Sequence, residues 1–188
     1  MPTDLPTEVI FIGGRSGVGK SSVAAEASHL LARADIRHAV IEGDNLDQAH
    51  PQPWREGIDL ARRNLAAIWH NYRSIGYSRL IFTNTVSVLE MPSLSAALGG
   101  QVRSFGVVLT ASDHTAAQRL AQREIGTALD EHIERSKLAA ARLDASSTAR
   151  RVATDGRSLT EIAAEILASA GWLTGTAIPA SKAVSNTA

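Results

Sequence analysis

Residues 14–21, with the sequence GRSGVGKS, have the types and spacing most suited to chemistry in this chain. They fit the pattern G-x-x-x-x-G-K-S and directly follow an apolar run, residues 9–12. Glycines let the backbone curl until several N–H groups point at one anion, and a helix that begins here adds its positive dipole end. Lys20 offers a positive charge to the outer phosphates, and the Ser21 hydroxyl is a ligand for Mg²⁺. The pattern therefore predicts a loop that binds the phosphates of a nucleotide.

A tight strand-to-helix turn, with glycines only for close packing, is the alternative interpretation of this loop. The full pattern lies between an apolar strand and a helical pattern, which is the context that a phosphate-binding loop requires. We therefore predict that the nucleotide contacts the whole loop, namely Gly14, Arg15, Ser16, Gly17, Val18, Gly19, Lys20, Ser21 and Ser22.

Polar side chains follow two further predicted strands, at the point where each strand ends. Asp44 and Asn45 come after residues 37–41, and Asn84 comes after residues 79–83. Because the carboxyl ends of parallel strands line the ligand crevice, we expect these side chains beside the phosphate loop. If a phosphate is transferred to the hydroxyl group of a second molecule, the acceptor, Asp44 could take the proton of that hydroxyl. It could instead hold the metal or a metal-bound water, or be a solvated turn residue. Asn84 could bind the acceptor or cap the next helix.

Arginines at two places suit an anion, because the planar guanidinium group binds phosphate oxygens in a bidentate manner. Arg119 and Arg123 are four residues apart on one predicted helix face, and both are candidates to stabilise the transferring phosphate. Arg62 and Asn64 near the start of another helix could bind a polar or anionic acceptor. In both places a solvated helix surface is the alternative.

Hydrophobic patterns divide the chain into alternating strands and helices that would position these residues. Apolar runs predict strands at residues 9–12, 37–41, 79–83, 102–109 and 150–154. Helical spacing predicts helices from about residue 20, over 58–75, 86–98, from about 113, over 129–143, and over 159–170. Thr154 then ends the last predicted strand and Arg157 lies in the loop after it, and we expect both residues to contact adenine. This alternation predicts an α/β fold of three layers, with a five-stranded parallel sheet between helices.

The predicted domain covers residues 9–172, after a leader of residues 1–8 and before a disordered tail of residues 173–188. Two arginine-rich helices hinged at Gly126 predict a lid over about residues 119–145. Pro92 is expected to interrupt or shift the third helix. The second helix is expected to bury one stripe, formed by Ile58, Ala61, Leu65, Ile68, Tyr72 and Ile75.

The composition excludes several classes of protein. The 188 residues include 19 Lys and Arg against 19 Asp and Glu, so no net charge attracts nucleic acid or a membrane. The absence of cysteine excludes disulfides, thiolate metal sites and a cysteine nucleophile. The acidic start contains Pro2 and Pro6, unlike a signal peptide, and no apolar run approaches the ~20 residues that span a bilayer. We expect a cytoplasmic monomer or homodimer.

Three segments, residues 14–22, 42–46 and 62–65, together resemble the P-loop small-molecule kinases, especially the adenylylsulfate kinases. Asp44 is also similar to the aspartate that chloramphenicol phosphotransferases use as the base on the acceptor hydroxyl. The resemblance implies a P-loop NTPase fold with a helical lid and Mg²⁺-dependent transfer of the ATP γ-phosphate to a small acceptor. Candidate acceptors are adenylylsulfate, a nucleotide, a sugar-like metabolite or an antibiotic hydroxyl.

One departure from the family pattern concerns the end of the third strand. Asn84 follows that strand where the second nucleotide motif usually has an aspartate, so Ser21 and Asp44 become the expected metal-holding residues.

An ATP-binding regulatory module that hydrolyses slowly or not at all is the second functional hypothesis. The chain has no N-K-x-D run and no D-x-x-G after the third strand, which argues against a GTPase. Its short length and lack of a strand-end Asp-Glu pair argue against a motor ATPase. A lid with arginines favours a kinase, because a simple binder has no need to exclude water from the γ-phosphate.

Overall fold

The computed structural model describes residues 5–122, 128–146 and 149–173. These residues form five strands: β1 (Thr7–Gly13), β2 (Ala39–Glu42), β3 (Arg79–Thr83), β4 (Val102–Thr110) and β5 (Arg150–Ala153). They also form six α-helices: α1 (Lys20–Arg33), α2 (Leu60–Ser74), α3 (Met91–Leu98), α4 (Asp113–Ala121), α5 (Ala128–Ser146) and α6 (Leu159–Ser169). All five strands lie where the sequence predicts them, with no end displaced by more than two residues.

The five strands form one parallel sheet in the order β2-β3-β1-β4-β5. In the register of the sheet, Ile10 of the central strand β1 lies opposite Ile81 of β3 and Phe105 of β4. Because every strand runs in the same direction, all five carboxyl ends meet at one edge. The loop after β1 therefore emerges at the middle of that edge, between the ends of β3 and β4.

Helices cover both faces of the sheet, as the alternating side chains of β1 show. Ile10 and Ile12 pack into one core cluster, with side chains of α1 and α6. Val9 and Phe11 pack into the opposite cluster, with side chains of α2, α3 and α5. A strand that is apolar on both sides requires this arrangement, since successive side chains point to opposite faces. The predicted three-layer α/β fold is confirmed.

The buried face of α2 differs from the predicted stripe. Trp69 is 1% exposed, whereas Ile58, Ile68 and Ile75 are 42%, 36% and 64% exposed. The indole Nε1 donates a hydrogen bond to Thr7 Oγ1 at 3.1 Å, so the largest side chain of the helix is buried with its polar atom satisfied. This orientation turns Ile68, the preceding residue, toward solvent. The prediction that these three isoleucines are buried was wrong.

The third helix begins later than the sequence pattern suggested. It starts at Met91, and Pro92 occupies its first turn, where the missing N–H costs no helical hydrogen bond. Residues 84–90 form turns instead. Pro92 therefore begins a helix and does not interrupt one.

The two ends of the predicted domain also lie differently from expectation. The first strand begins at Thr7, inside the expected leader, and Leu173, the first residue of the expected tail, is buried beside Trp172. The expected hinge at Gly126 and the rest of the tail lie outside the described residues. Within the described segments, no helix combines the length and apolarity that crossing a membrane requires.

Candidate active site

The loop between β1 and α1 depends on glycine at two closely packed positions. Gly14 and Gly17 have φ angles of +143° and +86°, in the region that favours glycine. A Cβ on Gly14 would lie 2.7 Å from the carbonyl oxygen of Leu109, at the end of β4. A Cβ on Gly17 would lie 2.5 Å from the carbonyl oxygen of Ala116, in α4. The two glycines therefore let β4 and α4 approach the loop closely.

The start of α1 is suited to an anion. Gly19, at the N-cap, is left-handed with a φ of 96° and has no side chain with which to cap the helix. The first N–H groups of a helix need an acceptor from outside, and phosphate supplies several. Lys20 Nζ lies over the loop, where it donates to the carbonyl oxygens of Gly14 at 2.9 Å and Arg15 at 3.3 Å. Backbone amides, a helix dipole and an ammonium group thus converge at one place.

Asp44 lies at the same edge of the sheet, in a short 3-10 turn that follows β2. The turn packs on β3, since a Cβ on Gly43 would lie 2.6 Å from the Phe82 ring. The carboxyl group is open to solvent, but desolvation by the surrounding protein raises its pKa. The positive charge of Lys20 opposes this effect, and the nearby Glu42 adds to it. The charges of Asp44 and Lys20 therefore influence each other.

The oxygen atoms of Ser21 and Asp44 fit a magnesium ion that the nucleotide brings with it. Hydroxyl and carboxylate oxygens are ligands for Mg²⁺, which usually keeps several waters and binds phosphates in addition. No group of three or more His, Cys, Asp or Glu residues that could hold a metal occurs in the described part of the chain. Ser21 and Asp44 therefore fit an ion that takes most of its ligands from phosphate and water and only one or two from the protein.

A cavity of about 290 Å³ lies directly beside the phosphate loop. Arg119 Nη1 donates to the carbonyl oxygen of Val18 at 3.3 Å and to Thr154 Oγ1 at 3.1 Å. Arg157 lines the same cavity and is held by Glu165, with 2.8 Å between Nη2 and Oε2. The residues that line it are Gly17, Val18, Gly19, Ser22, Val23, Arg119, Gln122, Thr154, Arg157, Leu159 and Ile162. The structure thus brings Thr154 and Arg157, two predicted nucleotide contacts, together with Arg119, a predicted catalytic residue.

Asp155, which is not among the predicted site residues, fixes the position of that loop. Its carboxylate accepts hydrogen bonds from the Ser112 N–H at 2.9 Å and the Ser112 hydroxyl at 3.1 Å. A hydrogen bond from the Thr115 side chain is the main cause that lowers the pKa of Asp155. The carboxylate therefore joins the start of α4 to the loop after β5. In the sequence, an aspartate before a glycine indicates only a turn.

The predicted acceptor residues are held mainly by their own neighbourhood. Asn84 Oδ1 accepts a hydrogen bond from the Val86 N–H at 2.9 Å, so this side chain caps the turn after β3. Asn64 Nδ2 donates to the carbonyl oxygen of Leu46 at 2.6 Å. Arg62 is exposed and forms an ion pair with Asp59, the N-cap of α2. Asn45, beside Asp44, is exposed as well.

Two other predicted site residues, Arg15 and Arg123, are not brought into this cavity by the described structure. Arg15 is 4% exposed, and its guanidinium group binds Asp113 and Ser136, so that its backbone is what remains to face a phosphate. Ser136 is the single polar residue in an otherwise apolar helical stripe, which is a signal that could have revealed a buried polar contact. Arg123 lies outside the described residues.

Comparison with solved structures shows similarity over most of the chain. A gluconokinase from Sinorhizobium meliloti is 21% identical with a TM-score of 0.58, over 88% of this chain and 92% of that chain. The tunicamycin resistance protein of Deinococcus radiodurans is 18% identical with a TM-score of 0.63, over 89% and 97%. A shikimate kinase from Acinetobacter baumannii, in complex with shikimate, is 15% identical with a TM-score of 0.54, over 87% and 92%.

These likenesses show that the chain has the fold of the P-loop small-molecule kinases. The resemblance that the loop and the strand-end residues suggested is confirmed at the level of the fold. No protein-family model matches the sequence, and no curated protein sequence matches it either.

Proposed function

We propose that this protein is an ATP-dependent kinase that transfers the γ-phosphate to a hydroxyl group of a small molecule. The observation that carries the proposal is the arrangement of three features at one edge of the sheet. The cavity beside the phosphate loop has room for a nucleoside, the Lys20 ammonium lies over the loop, and the Asp44 carboxyl interacts with that ammonium. A donor site and a base are thus adjacent.

On the donor side, the loop amides and the start of α1 hold the phosphates, and Lys20 stabilises charge on the outer ones. Ser21 would hold Mg²⁺, which neutralises phosphate charge when it is bound, and Asp44 would bind one of the water molecules on the ion. Arg119 lies between the loop and Thr154, and its proposed role is to stabilise charge on the transferring phosphate. Arg123, four residues further along the sequence, is proposed for the same task.

On the acceptor side, Asp44 takes the proton from the acceptor hydroxyl. The hydroxyl oxygen then forms a bond to the γ-phosphorus, while the bond from that phosphorus to the β–γ bridging oxygen breaks. ADP leaves with the electron pair. The desolvation that raises the pKa of Asp44 makes the carboxylate a better proton acceptor than an ordinary aspartate.

The acceptor itself is proposed to lie against Asn45, Arg62, Asn64 and Asn84. The similar gluconokinase and shikimate kinase are named for small-molecule acceptors, which supports an acceptor of that size for this protein. Adenylylsulfate, a nucleotide and an antibiotic-like alcohol remain the other candidates.

A regulatory ATP-binding module is the second candidate function. It is favoured by Asn84, because this residue caps its own turn at a strand end where a carboxylate would hold the metal.

A transfer assay with radiolabelled ATP and a panel of acceptor alcohols separates the two functions. The panel contains sugars and sugar acids, shikimate, nucleosides, nucleotides, adenylylsulfate, aminoglycosides and chloramphenicol. We expect transfer to one class, and a loss of transfer by about 10²-fold or more in Lys20→Ala, which leaves the outer phosphates without their ammonium partner. Arg33→Ala, at an exposed position in the last turn of α1, is the control for loss of a positive charge and should retain activity.

Calorimetry then measures whether the same protein binds ATP. Protein that binds ATP but phosphorylates no member of the panel supports the regulatory module. Equal transfer by Lys20→Ala and the unaltered protein contradicts the kinase.

A further inference from the structure

Arg15 is a charged side chain buried within the phosphate loop region, and the proposed reaction does not use it. Its Nε donates to Ser136 Oγ at 3.0 Å, and its Nη1 donates to the Asp113 carboxylate. Burial of a guanidinium group costs free energy unless it is paired and hydrogen-bonded. The planar fork of arginine can bind two partners in fixed directions at once, which lysine cannot do. The partners belong to two different helices, α4 and α5.

Ser136 continues this contact back to the phosphate loop. Its hydroxyl accepts from Arg15 and donates to the carbonyl oxygen of Ser16 at 2.9 Å, and the residue is 2% exposed. One buried hydroxyl of α5 thus bonds to two consecutive loop residues. Movement of α5 relative to the loop would break both bonds and leave their polar atoms unsatisfied, which is costly.

The helix α4 is attached to the same loop at two further points. The Ala116 carbonyl oxygen lies so close to Gly17 that a Cβ there would approach it to 2.5 Å. Arg119 donates to the carbonyl oxygen of Val18 at 3.3 Å. Residues 15–18 therefore carry contacts with α4 or α5 on the side chain or the backbone.

A small cavity of about 50 Å³ adjoins Arg15 between the end of β4 and α5. The Nη2 atom of Arg15 is buried and has no hydrogen-bond partner among the described residues. A cavity of this size can hold a water molecule. The side chain thus keeps its position through Nε and Nη1, although its third nitrogen finds no protein acceptor in the described part of the chain.

We propose that Arg15 is a positioning residue for nucleotide binding, which fixes the phosphate loop by tying it to Asp113 of α4 and Ser136 of α5. The inference rests on the proposed function, since it assumes that the loop binds ATP. It deepens that function in one respect, because it makes the position of α5 and the affinity for phosphate depend on each other.

The test measures the dissociation constant of Mg·ATP by calorimetry for the full chain and a set of variants. Arg15→Met keeps an unbranched apolar side chain but removes the guanidinium donors, and we expect the constant to rise about 10-fold or more. Arg15→Lys, which restores the charge without the fork, should recover part of the affinity. Arg151→Met is the matched control, because Arg151 pairs with Asp144 of α5 without touching the loop, and its constant should stay within about 2-fold.

A double-mutant cycle distinguishes coupling from general damage. Ser136→Ala alone should raise the dissociation constant about 3- to 10-fold, and Ser136→Ala combined with Arg15→Met should raise it by less than the product of the two single effects, because Ser136 retains its own bond to Ser16 in Arg15→Met. Additive losses overturn the proposal. Asp113→Asn, at an exposed carboxylate, provides a variant that keeps the fold if Arg15→Met fails to express. Unchanged affinity in both Asp113→Asn and Ser136→Ala also overturns it.

Hydrogen exchange supplies a readout that does not depend on catalysis. Mg·ATP should slow amide exchange in α5 of the unaltered protein and of Arg151→Met, and should not do so in Arg15→Met. The same slowing in Arg15→Met contradicts the proposed coupling. If the unaltered protein binds no ATP, both the proposed function and this inference are wrong. If Arg15→Met binds ATP normally, only this inference is wrong.

Discussion

The donor and acceptor sides of the candidate site are held in different ways. On the donor side, Arg15 and Ser136 are 121 residues apart in sequence, and Arg119 and Val18 are 101 apart. On the acceptor side, the Arg62 and Asn84 side chains bond to partners three and two residues away. Distant tertiary contacts thus fix the phosphate loop, whereas the acceptor side combines these local contacts with a hydrogen bond of intermediate range, from Asn64 Nδ2 to the Leu46 carbonyl oxygen 18 residues away.

The first prediction concerns Asp44, where the two sides meet. Asp44→Asn keeps the size of the side chain but removes its basicity, so we expect kcat to fall by about 10²- to 10⁴-fold with little change in ATP affinity. Steady-state kinetics and calorimetry on the same variant check the two quantities. An equal loss of both would assign Asp44 to metal holding and not to proton transfer.

The pH profile of kcat sharpens this prediction. Asp44 must be deprotonated to act as a base, so kcat should fall as the pH decreases through the pKa of Asp44, which desolvation raises above the ordinary range. The negative charge of Asp47 also raises this pKa. Asp47→Asn should therefore move the acid limb of the profile to lower pH. An acid limb that stays in place in Asp47→Asn contradicts the assignment of that limb to Asp44.

The second prediction compares Gly17, in the phosphate loop, with Gly57, in the segment before α2. Gly17 and Gly57 have φ angles of +86° and +73°, but only at Gly17 would an added Cβ meet backbone atoms of another element within 4 Å. Both alanine variants bear a backbone cost of about 1–2 kcal/mol, and Gly17→Ala adds a steric cost of about 1–3 kcal/mol. We expect Gly17→Ala to weaken ATP binding about 10-fold or more and Gly57→Ala to leave it unchanged.

Chemical denaturation and calorimetry measure these effects. Equal ATP affinity in the two variants would show that the close approach of α4 is not what shapes the loop.

The third prediction concerns Arg62, whose substitution should have the smallest effect on stability. The ion pair between Arg62 and Asp59 is about half exposed, so Arg62→Ala should change the free energy of unfolding by less than about 1 kcal/mol. If Arg62 binds the acceptor, the same variant should raise KM for the acceptor and leave KM for ATP unchanged. Arg63→Ala, at the neighbouring exposed position, is the control. A large loss of stability would mean that the Arg62 side chain contributes to tertiary packing and not only to a local ion pair.

Much of the fold was predictable because its signals are local. A continuous apolar run indicates a buried parallel strand, and alternating strands and helices leave few arrangements other than a parallel sheet between helices. The register of α2 was not predictable in the same way, because Ile68 and Trp69 are both apolar. The partner of the indole, Thr7, comes from a distant strand and decides which of the two is buried.

For the candidate site, the sequence by itself determined the phosphate loop, with Lys20 and Ser21, and the strand-end position of Asp44. Their spacing carries the information, because a curled loop followed by a helix is a local structure. Only the tertiary structure decided that the Arg15 side chain turns to Asp113 and Ser136. The orientation of this side chain depends on burial and on hydrogen-bond partners 98 and 121 residues away. Neither the burial nor the partners can be inferred from a local pattern of residue types.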